Sequence, residues 1–304
     1  MIHNPLLDPL FAPTFALLGT ILGLALLGLC LVERRHLRHP WRRTLFQRWF
    51  TWLLIGPAYA LAILAGPLAA LLLVSLLVFQ GLREYGRMVG LPRLYRVVLL
   101  VMGVGVGPVA LWSSTAYFAL PPLLLLLGTL QPLLTQDVRS GTRHLAFAAL
   151  GFAYLPWMLD HFLLIYAEIE GGPGILLALG AMVGFSDVGA FLVGRRFGRR
   201  KLAAVLSPNK TLAGLVGNVL GAYLGCLVLS FALPPQHRPL LLAALPPLVA
   251  LGAVWGDLLE SLIKREAGVK DTGAVLPGMG GILDRIDSLI VVLPLSYVFL
   301  RLAT

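Results

Sequence analysis

Between Gly256 and Ser288 the chain reads GDLLESLIKREAGVKDTGAVLPGMGGILDRIDS, and six of its 14 acidic residues collect there with four bases. On a helix, Glu260, Ser261 and Lys264 follow Asp257 at i+3, i+4 and i+7, so all four share one face. Asp284 and Asp287 repeat the arrangement at i and i+3. Between the two faces, Lys270 and Asp271 lead into Pro277-Gly278-Met279-Gly280-Gly281, whose glycines permit positive φ and close backbone approach to a ligand. Carboxylates beside lysines and a Gly-rich turn are the residue types of a Mg²⁺ and phosphate site.

Two upstream stretches add to this. Asp187, in Phe185-Ser186-Asp187-Val188-Gly189-Ala190, is an acid close to the end of an apolar run, where a charge is costly and marks a functional position. The basic segment after Gly194-Arg195 ends in Ser207-Pro208-Asn209-Lys210-Thr211. That turn has the look of a phosphate cradle at a helix N-terminus, although it lacks the spacing of a Walker A loop. A Ser-Pro helix start explains it equally well on spacing alone.

The elements that must hold these residues are apolar. With 58% hydrophobic and 12% charged residues and a mean hydropathy of +0.87, the chain reads as an all-α, polytopic membrane helix bundle. About nine or ten spans are expected, near 13–32, two in 49–82 broken at Gly56-Pro57 and Gly66-Pro67, and then 97–112, 116–134, 145–166, 175–194, 211–233, 240–259 and 286–300. The MIHNPLLDPL start lacks the features of a cleaved signal, so the first span reads as retained. Residues 1–144 read as an N-terminal group of spans and 145–304 as the catalytic region, within one integrated membrane domain. Cys30 and Cys226 lie in apolar runs and read as core residues. Gly217, Gly221 and Gly225 form a small-xxx-small ladder suited to close helix packing. Asp160-His161 reads as an interfacial polar pair.

Of the 24 Lys and Arg, 22 fall in alternate connections, including six arginines in residues 33–48. By the positive-inside rule those connections, and with them the 256–288 stretch, face the cytoplasm of an inner membrane. The net charge of +10 therefore suits anionic headgroups and nucleotide phosphates better than nucleic acid.

The stretch SLIKREAGVKDTGAVLPGMGGILDRIDS closely resembles the C-terminal signature of phosphatidate cytidylyltransferases, the CDP-diacylglycerol synthases. That pattern, S-x-x-K-R-x(4)-K-D-x(5)-P-G-H-G-G-x-x-D-R-x-D, is met at Ser261, Lys264, Arg265, Lys270, Asp271, Pro277, Gly278, Gly280, Gly281, Asp284, Arg285 and Asp287. The resemblance extends upstream through Asp187-Val188-Gly189-Ala190, Gly194-Arg195 and Ser207 to Thr211. In the N-terminal half it is confined to hydropathy and Glu84-Tyr85.

The resemblance implies attack of a phosphatidate phosphate on the α-phosphorus of CTP, giving CDP-diacylglycerol and pyrophosphate. It implies Mg²⁺ held by Asp257, Asp284 and Asp287, with room for a second cation, and phosphate contacts from Lys264, Arg265, Lys270 and Arg285. Ser207, Lys210 and Thr211 would touch nucleotide or lipid phosphate, with Asp187 orienting a base or assisting the metal. Ser261, Asp271, Gly280 and Gly281 complete the expected substrate site, lipid tails remain in the bilayer, and a homodimer is suggested. One departure stands out: the family histidine of PGHGG is Met279, which can neither donate a hydrogen bond nor move a proton. A phosphate nucleophile is already anionic at neutral pH, so Met279 is expected to modify affinity or substrate choice. An inactive homologue, or an ion-coupled transporter with Asp187, Asp257 and Asp284 along its pathway, are the alternatives.

Overall fold

A computed structural model describes residues 3–32, 44–273, 275 and 280–303. The Pro277-Gly278-Met279 turn and most of the basic 33–48 segment lie outside the described residues. The chain is helical almost throughout: α1 (Phe11–Val32), α2 (Thr44–Leu64), α3 (Pro67–Met88), α4 (Arg93–Trp112), α5 (Ser114–Thr135), α6 (Gly141–Phe152), α7 (His161–Glu168), α8 (Gly172–Phe197), α9 (Leu212–Val228), α10 (Arg238–Glu266) and α11 (Leu283–Ala303). Among the described residues, eight helical segments, with 141–168 counted as one, are long and apolar enough to cross a membrane. α9 is a shorter apolar helix. α1 and α5 present leucines such as Leu24, Leu27, Leu126 and Leu134 outward, as helices bathed in hydrocarbon do. The expected polytopic helix bundle is what the chain forms.

The run expected as two spans in 49–82 forms two helices, α2 and α3, joined through Gly66 at φ 106°; α3 is among the eight segments and α2 is not, and Gly56-Pro57 lies within α2 without breaking it. Two features were not legible. First, the sixth apolar run is not one regular helix: residues Ala153–Trp157 form a π-helical turn between α6 and α7. Pro156 lies in that turn and has no N–H for the regular ladder, which accounts for the break. Second, the basic loop after α8 folds into a two-stranded antiparallel hairpin, β1 (Lys201–Ala203) with β2 (Ser207–Thr211). It is a small addition to an otherwise helical chain.

The C-terminal helices pack backbone to backbone. A Cβ on Gly217 or Gly221 would overlap the carbonyl oxygens of Gly189 or Phe185, and one on Gly225 would lie 2.7 Å from Met182 Cα. The ladder on α9 therefore seats on α8, as its spacing suggests. Gly252 and Gly256 do the same for α10 against α11: a Cβ at Gly256 would meet the Asp287 carbonyl and lie 3.0 Å from Ser288 Cα. Ser288 Oγ adds a hydrogen bond to the Ala253 carbonyl at 3.3 Å. Gly221→Leu is accordingly expected to abolish the monodisperse detergent-solubilised species on size exclusion. Normal elution of that variant would show that α8 and α9 need no such contact.

Asp160 and His161 depart from the interfacial reading. Both are buried. His161 Nδ1 lies 3.0 Å from Tyr117 Oη and 2.9 Å from the Trp157 carbonyl oxygen, inside a cage of Tyr117, Phe118, Trp157 and Tyr297 rings. The rings enclose His161, while Asp160 Oδ2 is buried with no hydrogen-bond partner among the described residues.

Candidate active site

The close α10–α11 crossing at Gly256 puts Asp257 and Asp287 beside one another's helices. Around it the acidic residues sort into two sets. Asp187 is exposed and Asp257 and Asp287 partly so, whereas Asp284, Glu260 and Glu84 are buried. The open set has basic company: Lys210 Nζ lies 2.6 Å from Asp257 Oδ2, and the charges of Lys210 and Arg285 reach Asp187. The charges of Glu260, Asp257 and Asp187 all reach Asp287. Thus Lys210 from β2, Asp187 from α8, Asp257 from α10, and Arg285 and Asp287 from α11 meet in one electrostatic neighbourhood. Three stretches far apart in the sequence converge there.

The buried set holds the loop and helix that carry the open set. Lys264 Nζ sits between Glu260 Oε2 at 2.5 Å and Asp284 Oδ1 at 2.9 Å. Asp284 Oδ2 accepts the backbone N–H of Thr272 at 3.1 Å and of Gly281 at 2.9 Å, together with the Thr272 hydroxyl at 3.0 Å. Both oxygens of Asp284 are therefore engaged within the protein. Gly280, at φ 88°, occupies the left-handed region that glycine tolerates. A Cβ there would lie 2.7 Å from Asp284 Oδ2, so a side chain would also press on that carboxylate.

Glu84 is the residue that sequence reasoning left out of the site. From α3 it accepts the backbone N–H of Ile282 at 3.1 Å and of Leu283 at 2.9 Å, two of the otherwise unpaired donors at the α11 N-terminus. Gln80 Nε2 donates to it at 2.8 Å, and the Thr272 hydroxyl, whose one proton it shares with Asp284, lies 3.3 Å away. A carboxylate there also complements the helix dipole. The Glu84-Tyr85 match was a signal, but only the fold reveals that Ile282, 198 positions further along the chain, closes onto it. Tyr85 anchors the same turn of α3 through a 2.8 Å bond to the Phe147 carbonyl.

The remaining expected site residues are placed as follows. Thr211 is a buried helix cap, its Oγ1 accepting the Gly214 N–H at 3.1 Å, so its hydroxyl serves α9. Ser207 and Lys210 lie on β2 rather than in a helix-start turn, and Ser207 pairs in register with Ala203. Ser261 is buried on α10. Arg265 reaches back to the hairpin, donating from Nε to the Leu206 carbonyl at 3.4 Å. Lys270, Asp271 and Arg285 are exposed, and Gly281 is buried against Glu84 and Thr272. Among the described residues no group of three or more His, Cys, Asp or Glu is arranged as a ready-made metal cage.

This chain belongs to the Cytidylyltransferase family, which it matches over residues 46–303. Among curated proteins it is 37% identical over 155 residues to the phosphatidate cytidylyltransferase of Staphylococcus haemolyticus, covering 51% of this chain and 56% of that protein. It is 36% identical over 155 residues to the phosphatidate cytidylyltransferase of Staphylococcus aureus, covering 51% and 58%. The uncharacterized protein YnbB of Escherichia coli is 40% identical over 150 residues, 49% of each chain. The chain thus spans about half the length of the curated relatives it matches.

Proposed function

We propose that this protein transfers the cytidylyl group of CTP to the phosphate of phosphatidate, forming CDP-diacylglycerol and releasing pyrophosphate at the cytoplasmic face of an inner membrane. The observation that carries this reading is the convergence of Lys210, Asp187, Asp257, Asp287 and Arg285 at the end of the bundle where the signature loop lies. Cationic side chains suit the polyphosphate of a nucleotide, and accessible carboxylates suit a hard divalent cation. The apolar exterior keeps a diacyl lipid within reach of the same end.

The donor set fits Mg²⁺ at Asp257 and Asp287. Both are partly exposed, with Asp257 Oδ2 paired to Lys210 and Asp287 Oδ1 accepting the Ser288 N–H, so each keeps its second oxygen for a cation, and Mg²⁺ commonly takes one or two carboxylates with substrate phosphates and water completing its shell. Asp284 would join them only by giving up Lys264 or Thr272, so in this arrangement it fixes the loop. Bound Mg²⁺ would neutralise charge on the CTP phosphates and on the departing pyrophosphate. The protein's own part is positioning. Lys210 and Arg285 bind phosphate oxygens, Asp187 orients them, and the Glu84 and Asp284 hydrogen bonds hold Thr272 and the Gly281–Leu283 backbone in place. No base is required, because the attacking phosphate is already an anion.

Purified protein in detergent with CTP, phosphatidate and Mg²⁺ is expected to release pyrophosphate only when all three are present, and to stop when EDTA is added in excess. Release that persists in EDTA contradicts the metal assignment. A well-folded protein that binds CTP without turnover supports the inactive-homologue reading that Met279 raises. Ion flux across liposomes in the absence of CTP favours a transporter.

A further inference from the structure

The C-terminal end of α8 carries a charged patch that the site above does not use. Arg195, Arg196, Arg199, Arg200 and Lys201 are all exposed, and among the described residues none of the five is in an ion pair. The sequence holds no acidic residue between Asp187 and Asp257. The α8 dipole favours the bases of its last turn, Arg195 and Arg196, but that pull fades beyond the turn. The bases after Gly198 are left for a partner of opposite charge. They are not on a free loop: a Cβ on Gly198 would lie 2.6 Å from Thr211 Oγ1, and the Arg200 carbonyl accepts the Leu212 N–H at 3.0 Å.

Depth and shape say which partner reaches them. α8 has 26 residues, about 39 Å of helix against a hydrocarbon core of about 30 Å, so its last turns stand at the level of lipid headgroups. Val188, Phe191, Leu192 and Arg195 fall at i, i+3, i+4 and i+7 on one face, and the three apolar side chains are 54%, 61% and 58% exposed. Earlier on α8, α2 covers the helix: a Cβ on Gly180 would lie 2.6 Å from Tyr59 Cε1, and one on Gly184 3.6 Å from Trp52 Cη2. Beyond Gly184 an open apolar face leads to the arginines. There the Arg195 guanidinium lies 5.9 Å from the centre of the Phe191 ring and that of Arg196 5.5 Å from the Phe197 ring. Apolar surface below and planar cations above match an acyl chain ending in a phosphate, which guanidinium groups bind in bidentate fashion.

We propose that this patch is a second lipid site, separate from the catalytic centre, which holds an anionic phospholipid with its acyl chain along Phe191 and its phosphate among Arg195, Arg196 and the bases of the hairpin entry. Asp187 precedes Val188 on the same helix, so a phosphatidate captured here lies beside the open carboxylates. Delivery of substrate rests on the cytidylyltransfer reading; the lipid site does not.

Labelled phosphatidylglycerol is anionic but has no phosphate monoester to act as nucleophile, so it isolates the patch from the catalytic centre. Its retention by the purified protein is measured in micelles containing excess phosphatidylcholine, without nucleotide. A base near a membrane surface strengthens anionic-lipid binding about fivefold, so the triple variant Arg196→Gln, Arg199→Gln, Arg200→Gln is expected to weaken retention by roughly tenfold or more. The corresponding triple Lys variant should stay within about threefold of native, because it keeps the charge. In turnover, the phosphatidate fraction giving half-maximal rate should rise by a similar factor in the Gln variant, with kcat and KM for CTP unchanged. Native retention in the Gln variant, or a native protein that retains no phosphatidylglycerol against phosphatidylcholine, overturns the proposal. A raised KM for CTP with unchanged lipid retention also overturns it and assigns these bases to the nucleotide. Lost retention with an unchanged half-maximal phosphatidate fraction rejects delivery. If the native protein makes no CDP-lipid, the functional reading fails and retention alone decides the lipid site.

Discussion

Lys264→Met is expected to be the most damaging single change in the protein, removing catalysis and lowering stability by about 3–5 kcal/mol. The reason is the sandwich of its ammonium between Glu260 and Asp284. Lys264 itself is only 14% exposed at its side chain. Deleting it leaves two buried carboxylates facing each other with no counter-charge, and that loss exceeds what a surface ion pair is worth. Thermal unfolding in detergent measures the effect. The double variant Lys264→Met with Glu260→Gln should recover part of the stability, because one uncompensated charge is gone, while cytidylyl transfer stays absent. A Lys264→Met protein with native melting would show that the pair of carboxylates is neutralised in some other way.

Glu84→Ala is expected to be nearly as costly, although Glu84 lies on α3, far in sequence from the signature. The substitution strips the acceptor from the Ile282 and Leu283 N–H groups at once. Each buried donor left unpaired costs about 1–3 kcal/mol. Released from α3, the α11 N-terminus would carry Asp284, Arg285 and Asp287 away from their places, and a displacement near 1 Å is enough to lower turnover by roughly 100-fold. Steady-state kinetics should show the loss mainly in kcat, with hydrogen exchange accelerating at residues 281–284. Faster exchange without a kinetic effect would make Glu84 a purely structural cap. Glu84→Gln retains one acceptor but turns an NH₂ toward a backbone donor, so a substantial loss is expected there too.

The division between what the sequence disclosed and what it withheld follows from locality. Helical spacing was enough to align Asp257, Glu260 and Lys264 on α10, and the Gly217-Gly221-Gly225 ladder announced its own packing. Both signals live within a few turns of one helix. The twofold run at 49–82 was legible because Gly66-Pro67 interrupts it. By contrast, the Glu84 contact to α11 spans most of the chain and depends on how α3 is rotated within the bundle, which no local pattern encodes. The π-helical turn at Ala153–Trp157 hides inside an uninterrupted apolar run. The Ser207–Thr211 stretch was read as a helix-start cradle because Ser-Pro and Thr are common there. Thr211 does cap a helix, yet the residues before it pair as a strand. The resemblance gives Asp284 to the metal, whereas its hydrogen bonds to Thr272 and Gly281 depend on how the backbone closes on it, which no local pattern encodes.

These placements divide the acidic residues by task. Asp187, Asp257 and Asp287 remain open to a ligand, while Asp284, Glu260 and Glu84 hold the framework that carries them.

The central claim is that the nucleotide's α-phosphorus moves to the lipid. It is tested most directly by incubating the purified protein with phosphatidate, Mg²⁺ and CTP labelled either at the α- or at the γ-phosphorus, followed by extraction into organic solvent. The α-label is expected to enter the lipid phase and the γ-label to remain in water as pyrophosphate. Label in the lipid from the γ-position, or none from the α-position in a protein that is folded and binds CTP, would contradict it.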